Sequence, residues 1–318
     1  MQPAEQSGMP RFQIHIMRNP IQTHWRKRSR KCSLHRTFFI WLPTLLLAFG
    51  AIPTAHAQSN AVRAQAAQED AAPSRSPWAR IVMIGASASA GYTTSEPFGS
   101  TNMARYRLSR YVDAALLAPH EPVTNLASAL FFLQPETMGR NQIDLTLKLK
   151  PTLVLGLDFP FWFCYGNLRT NENRQQRFEI GLQLLEKVPC RVVLGDIPDA
   201  SAAANGILSE KEIPSADELA AANRRLRAWA EGRSQVILFP LAGFMRAAMG
   251  NQAITIHGGT VPAGETRLLI QEDKLHPSAP GCATLAVAIL DVIQAKEPPS
   301  SPANIRWDPK EVLRQVPQ

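Results

Sequence analysis

Short apolar runs alternate with longer amphipathic segments along most of this chain, and this alternation constrains the fold more than any other feature. The short runs are continuously apolar and predict five strands, at residues 80–84, 122–126, 152–156, 191–194 and 235–239. The segments between and after them carry apolar residues at helical spacing and predict helices, at residues 101–117, 141–149, 178–186, 216–231 and 282–295.

The continuous apolar character of the strands indicates how they are arranged. Strands that are buried on both faces and separated by helices belong to a parallel sheet with helices on each side. The sequence therefore predicts a three-layer α/β/α sandwich around a central, mostly parallel sheet. In such sheets, functional side chains gather at the carboxyl ends of the strands, so the residues after each strand are the candidates for a site.

The basic character of the chain is concentrated in its first 57 residues. The whole chain has a formal net charge of +8 and a pI near 9.6, which taken alone would suggest a nucleic-acid partner. Residues 1–57 contain eight Lys and Arg and one acidic residue, so they carry +7 of this charge. The remaining residues are close to neutral, and we expect them to bind no nucleic acid.

Residues 1–57 have the three parts of a secretory signal peptide. A basic run at residues 26–31 precedes an apolar run at residues 38–52, and a small-x-small motif follows at residues 55–57. We expect cleavage before Gln58 and export to a periplasm or beyond. An uncleaved membrane anchor is the alternative, although the apolar run is shorter than the roughly 20 residues that a spanning helix needs.

The rest of the chain divides into three parts by composition. Residues 58–77 are rich in Ala, Gln and Ser without apolar periodicity and predict a flexible linker. Residues 78–295 are enough for one well-buried domain. Residues 296–318 contain repeated Pro and Ser and predict an extended tail.

Three cysteines follow the leader, Cys164, Cys190 and Cys282. None of their spacings is that of a metal site. An oxidising compartment permits one disulfide, between Cys164 and Cys190, but three free thiols are equally compatible with the sequence. The cysteines therefore imply no cofactor.

A serine in a turn of small residues follows the first predicted strand. Segment 85–92 reads Gly-Ala-Ser-Ala-Ser-Ala-Gly-Tyr, with serines at positions 87 and 89. Small residues permit a tight strand-to-helix turn that presents the Ser87 hydroxyl beside backbone N–H groups, which favour a developing anion. A flexible turn without function is the simpler interpretation of this motif alone.

An acid and a histidine stand close together near the other end of the domain. Asp273 precedes His276 by three residues, on a loop before the last predicted helix. A carboxylate at this spacing can hold the imidazole in one tautomer while the imidazole takes a proton from a serine. Asp-x-x-His is common by itself, and only its combination with the serine turn indicates catalysis.

Together these motifs resemble the SGNH (GDSL-type) family of serine hydrolases over about residues 78–295. The family has its nucleophile in a Gly-Asp-Ser segment near the N-terminus and ends with an Asp-x-x-His-Pro block. The resemblance implies that Ser87 is the nucleophile, with Asp273 and His276 completing a catalytic triad. Residues 125–130 and 156–158 stand where the family has two further blocks, Asn-x-x-x-Ser-Gly and Gly-x-Asn-Asp.

The sequence departs from the family pattern at three positions. Ala86 replaces the Asp of Gly-Asp-Ser, and Ala129 or Leu130 replaces the glycine that donates an N–H to the oxyanion. Asp158 replaces the Asn whose amide also donates there. By resemblance we expect the oxyanion hole to consist of Ser87, Ala129 and Asp158. An ionised Asp158 would repel the oxyanion, so it would have to be protonated or have another role.

The resemblance implies an exported esterase that acts through an acyl-enzyme on Ser87 and needs no cofactor. Its partner would be a small-molecule, glycan or lipid ester, and the sequence does not choose among these. One alternative is an acyltransferase that uses the same triad. The other is a non-catalytic binding protein that retains the fold, because fold alone does not fix function.

The signal-peptide interpretation gives the first testable prediction. N-terminal sequencing of the exported protein should begin at Gln58 or within a few residues of it, because the small-x-small motif ends at Ala57. A mature chain that still contains the apolar run at residues 38–52 would contradict cleavage and make the protein membrane-anchored. The true start of translation, at Met1, Met9 or Met17, does not affect this result.

Overall fold

The computed structural model describes residues 76–96, 103–296 and 304–317. The leader and residues 58–75 of the predicted linker lie outside these ranges, so their assignments stay predictions. Within the described ranges, no helix combines the length and the apolar character that crossing a membrane requires.

A five-stranded parallel sheet forms the centre of the domain, in the order β2-β1-β3-β4-β5. This order is that of a flavodoxin-like doubly wound sheet. The strands are β1 (Ile81–Met83), β2 (Thr124–Asn125), β3 (Leu153–Gly156), β4 (Arg191–Gly195) and β5 (Val236–Phe239). The predicted α/β class and the parallel sheet are therefore confirmed.

Helices cover both faces of the sheet. They are α1 (Ser87–Ala90), α2 (Met103–Tyr106), α3 (Leu108–Ala115), α4 (Pro135–Leu149), α5 (Phe161–Cys164), α6 (Asn171–Leu185), α7 (Ala216–Glu231), α8 (Leu241–Met249), α9 (Ala279–Gln294) and α10 (Pro309–Gln315). Ile81 and Met83 of β1 face a core formed with α3, α8, α9 and α10. Val82 faces a second core with α4, α6 and α7. Successive strand side chains point to opposite faces, so continuous apolar strands supply both cores.

The prediction of an extended C-terminal tail is wrong for the part that the structure describes. Helix α10 packs against α9 and α3, and Ile305, Val312 and Val316 are buried in the first core. The C-terminal segment has few apolar residues, and these lie among prolines, so its composition suggested a tail. Burial of these side chains provides the free energy that a short helix lacks by itself.

Two smaller features complete the domain. Strands β6 (Ile254–Ile256) and β7 (Gly259–Val261) form an antiparallel hairpin. Helix α8 was not predicted, although it forms part of the first core. Cys164 and Cys190 are free thiols, so of the two alternatives left by the sequence the structure has no disulfide between them.

The start of α9 depends on close backbone contact at Gly281. A Cβ there would lie 1.8 Å from the Leu269 carbonyl oxygen. We expect Gly281→Ala to lower the free energy of unfolding by about 2–3 kcal/mol, since backbone would have to move. Gly243→Ala is the matched control, because nothing lies within 4 Å of its Cβ position in α8; it should stabilise by about 0.5–1 kcal/mol. Urea unfolding measures both, and equal effects would contradict the prediction.

Candidate active site

Three predicted site residues come together at the carboxyl edge of the sheet. Ser87 opens α1 directly after β1. Asp273 and His276 lie on the loop that leads into α9. The parallel sheet places the end of β1 at this edge, and the loop before α9 returns the chain to it from the far end of the sequence.

Hydrogen bonds join Ser87, His276 and Asp273 in one line. The Ser87 Oγ lies 2.8 Å from His276 Nε2, and His276 Nδ1 lies 2.7 Å from Asp273 Oδ2. The imidazole and the carboxylate are almost completely buried, whereas Ser87 is half-buried. This is the arrangement in which a histidine can take the serine proton while a carboxylate orients the ring.

The surroundings of Asp273 keep it ionised. Burial acts to raise the pKa of its carboxyl, but hydrogen bonds from the His276 ring and from the backbone N–H groups of Leu275 and His276 outweigh it. The pKa of Asp273 therefore lies below its ordinary value. An ionised Asp273 can fix the proton on His276 Nδ1, which leaves Nε2 free to accept from Ser87.

Gln271 and Tyr92 fix the loop against the serine turn, and sequence reasoning assigned neither of them a role. The Gln271 side-chain amide donates to the carbonyl oxygens of Tyr92 and Pro277, at 2.8 and 2.9 Å. The Tyr92 ring lies against the His276 ring, with centroids 4.3 Å apart. The only signal in the sequence was the closeness of Gln271 and Tyr92 to the two motifs.

Asp158 lies close to Ser87, but its carboxylate does not have the role that the resemblance implied. Its Oδ1 accepts from the Ala86 N–H at 3.0 Å and the Ser89 hydroxyl at 2.6 Å. Its Oδ2 accepts from the N–H groups of Ala88 and Ser89, at 2.9 and 3.1 Å. The expectation of Asp158 as an oxyanion-hole donor is therefore wrong: its oxygens are directed at the turn and already accept four hydrogen bonds.

The same turn is held from its other side by Gln142 of α4. The buried amide of Gln142 accepts from the Gly85 N–H at 2.8 Å and donates to the Gly85 carbonyl at 2.9 Å. Gly85 has a φ of 138°, and a Cβ there would lie 2.1 Å from Asp158 Oδ1. Glycine is needed both for this φ and for the close approach of Asp158. Gln142 gave no signal in the sequence, since it is one polar residue within a helix.

The Ala129 turn lies beside the serine turn without lining the cavity next to Ser87. The Ser128 N–H donates to the Gly85 carbonyl at 3.2 Å, and the Leu130 N–H donates to the Ser128 hydroxyl at 3.2 Å. The N–H groups of Ser87 and Ala129 have no hydrogen-bond acceptor among the described residues. Of the two residues considered for the glycine position, only Ala129 thus retains a free N–H.

A narrow apolar cavity of about 40 Å³ opens beside Ser87 and His276. An aromatic run follows β3 and reads Phe-Pro-Phe-Trp-Phe at residues 159–163. Two of its residues form one wall of the cavity, and α8 and the loop before α9 form others. Asp158 lines it together with Ser87 and His276. The apolar lining residues are Ala86, Ala88, Leu157, Phe161, Trp162, Pro198, Leu241, Phe244, Met245, Ile270, Leu275, Pro277 and Leu285. The aromatic run thus serves both as core and as cavity wall. Nowhere in the described ranges do three or more His, Cys, Asp or Glu residues form a metal-binding cluster.

Comparisons with known proteins find similar structures and no similar sequences. No protein-family model and no curated protein matches the chain. A lipase/acylhydrolase from Enterococcus faecalis is 18% identical and aligns with 69% of this chain and 95% of its own, with a TM-score of 0.47. TesA is 16% identical over 69% and 99%, with a TM-score of 0.41. LAE5, an alpha/beta hydrolase from the metagenome of Lake Arreo, Spain, is 15% identical over 69% and 97%, with a TM-score of 0.43.

The geometry predicts that a fluorophosphonate probe modifies Ser87 and not Ser89. The Ser89 hydroxyl is fully buried and donates to Asp158, whereas the Ser87 hydroxyl lies within reach of a base. Ser87→Ala should therefore abolish labelling, and peptide mapping of Ser89→Ala should still find the label on residue 87. Labelling that survives Ser87→Ala but is lost in Ser89→Ala would show that the nucleophile is two residues further along.

Proposed function

We propose that this protein is an SGNH-type esterase that forms an acyl-enzyme on Ser87. The observation that carries the proposal is the line of hydrogen bonds from Ser87 through His276 to Asp273 beside an apolar cavity. Ser87 and His276 are 189 positions apart in the sequence, yet both lie at the sheet edge where such folds place functional residues.

In the proposed reaction, His276 transfers one proton in each half. The Ser87 oxygen attacks the ester carbonyl carbon as His276 Nε2 takes the hydroxyl proton, and a tetrahedral oxyanion forms. The alkoxide leaves with this proton as an alcohol, and the acyl group stays on Ser87. Water then attacks the acyl carbon, His276 again carries the proton, and the carboxylic acid and free Ser87 are released.

The donors that we propose for the oxyanion are backbone N–H groups alone. The Ser87 N–H belongs to the residue that attacks, and it has no acceptor among the described residues. The Ala129 N–H is the second proposed donor, from the turn that Ser128 ties to Gly85. Asp158 is left out, because its oxygens accept hydrogen bonds from the turn and donate none.

An acyltransferase and a non-catalytic binding protein are the two alternatives, and either would have the same fold. An acyltransferase would use the same three residues, with an alcohol in place of water in the second half. A non-catalytic binding protein is disfavoured by the 2.8 Å contact between Ser87 and His276, which a binding role does not require. Export by the leader, and with it a periplasmic or secreted location, is part of the proposal and rests on the sequence of residues 1–57.

The cavity predicts a preference for short acyl groups. Its volume of about 40 Å³ is small, so we expect it to accept a short acyl group more readily than a long one. The purified mature protein should hydrolyse p-nitrophenyl acetate with a higher kcat/KM than the hexanoate, and Ser87→Ala should lose turnover of both. No turnover of any ester by a folded, probe-reactive protein would contradict the esterase proposal.

Two methionines of α8 provide a matched test of the cavity. Met245 is buried and lines it, whereas Met249, one turn later, is partly exposed and does not. Met245→Ala should raise the hexanoate-to-acetate ratio of kcat/KM about tenfold or more, since a methylene in an apolar pocket contributes about 1–3 kcal/mol. Met249→Ala should leave the ratio unchanged. An equal ratio in both variants would mean that the acyl group lies elsewhere.

A further inference from the structure

Helix α1 receives no side-chain cap from the residue that precedes it. The N-terminal N–H groups of a helix have no partner within the helix, and a Ser, Thr, Asp or Asn just before it usually accepts from the second or third. Ala86 holds that position here and makes no side-chain hydrogen bond. The start of the helix that carries Ser87 must therefore be satisfied from elsewhere.

Asp158 supplies this cap from the next strand. It follows β3, which pairs with β1, so its carboxylate reaches the turn beyond β1. Oδ2 accepts from Ala88 and Ser89, the second and third residues of α1. Oδ1 accepts from the Ala86 N–H and the Ser89 hydroxyl. One side chain thus satisfies the N–H groups on both sides of Ser87, while the Ser87 N–H itself has no acceptor in the part of the chain that the structure describes.

We propose that Asp158 is a positioning residue that, as a carboxylate, caps the nucleophile helix and keeps the Ser87 N–H free for the oxyanion. The proposal rests on the esterase function proposed above. It reverses the expectation from the family pattern, in which an amide at this position donates directly to the oxyanion. Here the side chain at position 158 acts one step away, through the turn that holds Ser87.

Four donors around one buried carboxylate make an amide a poor replacement. Asp158 is 6% exposed, so water does not replace lost partners. In Asp158→Asn, the NH₂ group would face either the Ala86 N–H and Ser89 hydroxyl or the N–H groups of Ala88 and Ser89. The Ser89 hydroxyl can turn to accept, but a backbone N–H cannot. At least one N–H beside Ser87 then loses its acceptor, and the turn shifts.

The test compares Asp158→Asn with the parent mature protein, with active sites counted by a fluorophosphonate titration. A displacement of about 1 Å at a reacting group can cost about 10²-fold in rate. We expect Asp158→Asn to label to the same stoichiometry, with kcat per labelled site about 10²-fold lower and KM within a factor of three. A loss of stability alone would instead lower the number of labelled sites and leave kcat per site unchanged, which would overturn the proposal.

Asp196→Asn is the matched control. Asp196 also follows a strand of the sheet, and it accepts from the Ala242 N–H near the start of α8, at 2.7 Å. We expect the parent kcat in this variant. A kcat per site in Asp158→Asn that equals or exceeds that of the parent would also overturn the proposal, because an amide would then serve at least as well as the carboxylate. A parent protein that neither labels nor turns over esters would refute the esterase function itself, a separate result.

Discussion

The hydrogen bonds between the Asp158 carboxylate and the turn after β1 determine where Ser87 lies. They depend on the pairing of β1 with β3, because this pairing places the end of β3, and with it Asp158, beside the turn. They also depend on Gly85, whose missing side chain leaves the space that Asp158 Oδ1 occupies. The position of Ser87 therefore requires the order of the strands, the glycine at position 85 and the carboxylate at position 158 together.

Two buried carboxylates meet the same physical requirement in different ways. Asp158 and Asp273 are both shielded from water and both accept backbone N–H groups, which replace the lost hydration. The Asp273 carboxylate also contacts the imidazole, so its charge can stabilise the imidazolium that forms when Ser87 attacks. The Asp158 carboxylate contacts only uncharged donors of the turn and the Ser89 hydroxyl. In the proposed mechanism, Asp158 therefore fixes the geometry of the turn, and the charge of Asp273 assists the proton transfer.

The sequence was sufficient to predict the parallel sheet and the proximity of Ser87 to His276. Continuous apolar strands separated by helices have few other arrangements, and both motifs follow predicted elements at the same sheet edge. It was insufficient to predict that the side chains of Asp158 and Gln142 hold the serine turn. A residue's position relative to a motif gives no direction for its side chain, and the same position serves an amide that donates or a carboxylate that accepts. The C-terminal helix was missed because its few apolar residues form a helix only when the core is present.

The loss of one oxyanion donor favours esters over amides as substrates of the proposed reaction. Removing one donor from such a site typically raises the barrier by about 2.7–4 kcal/mol, and a side-chain donor at position 158 is missing here. Esters have a better leaving group than amides, so their acylation can proceed with less stabilisation of the tetrahedral state. The fixed positions of the remaining groups then matter more, because each backbone donor contributes only if the turn holds it at the oxyanion. In the proposed mechanism, the carboxylate at position 158 thus removes a donor from the oxyanion site and, by capping α1, secures the alignment of the donor that Ser87 itself provides.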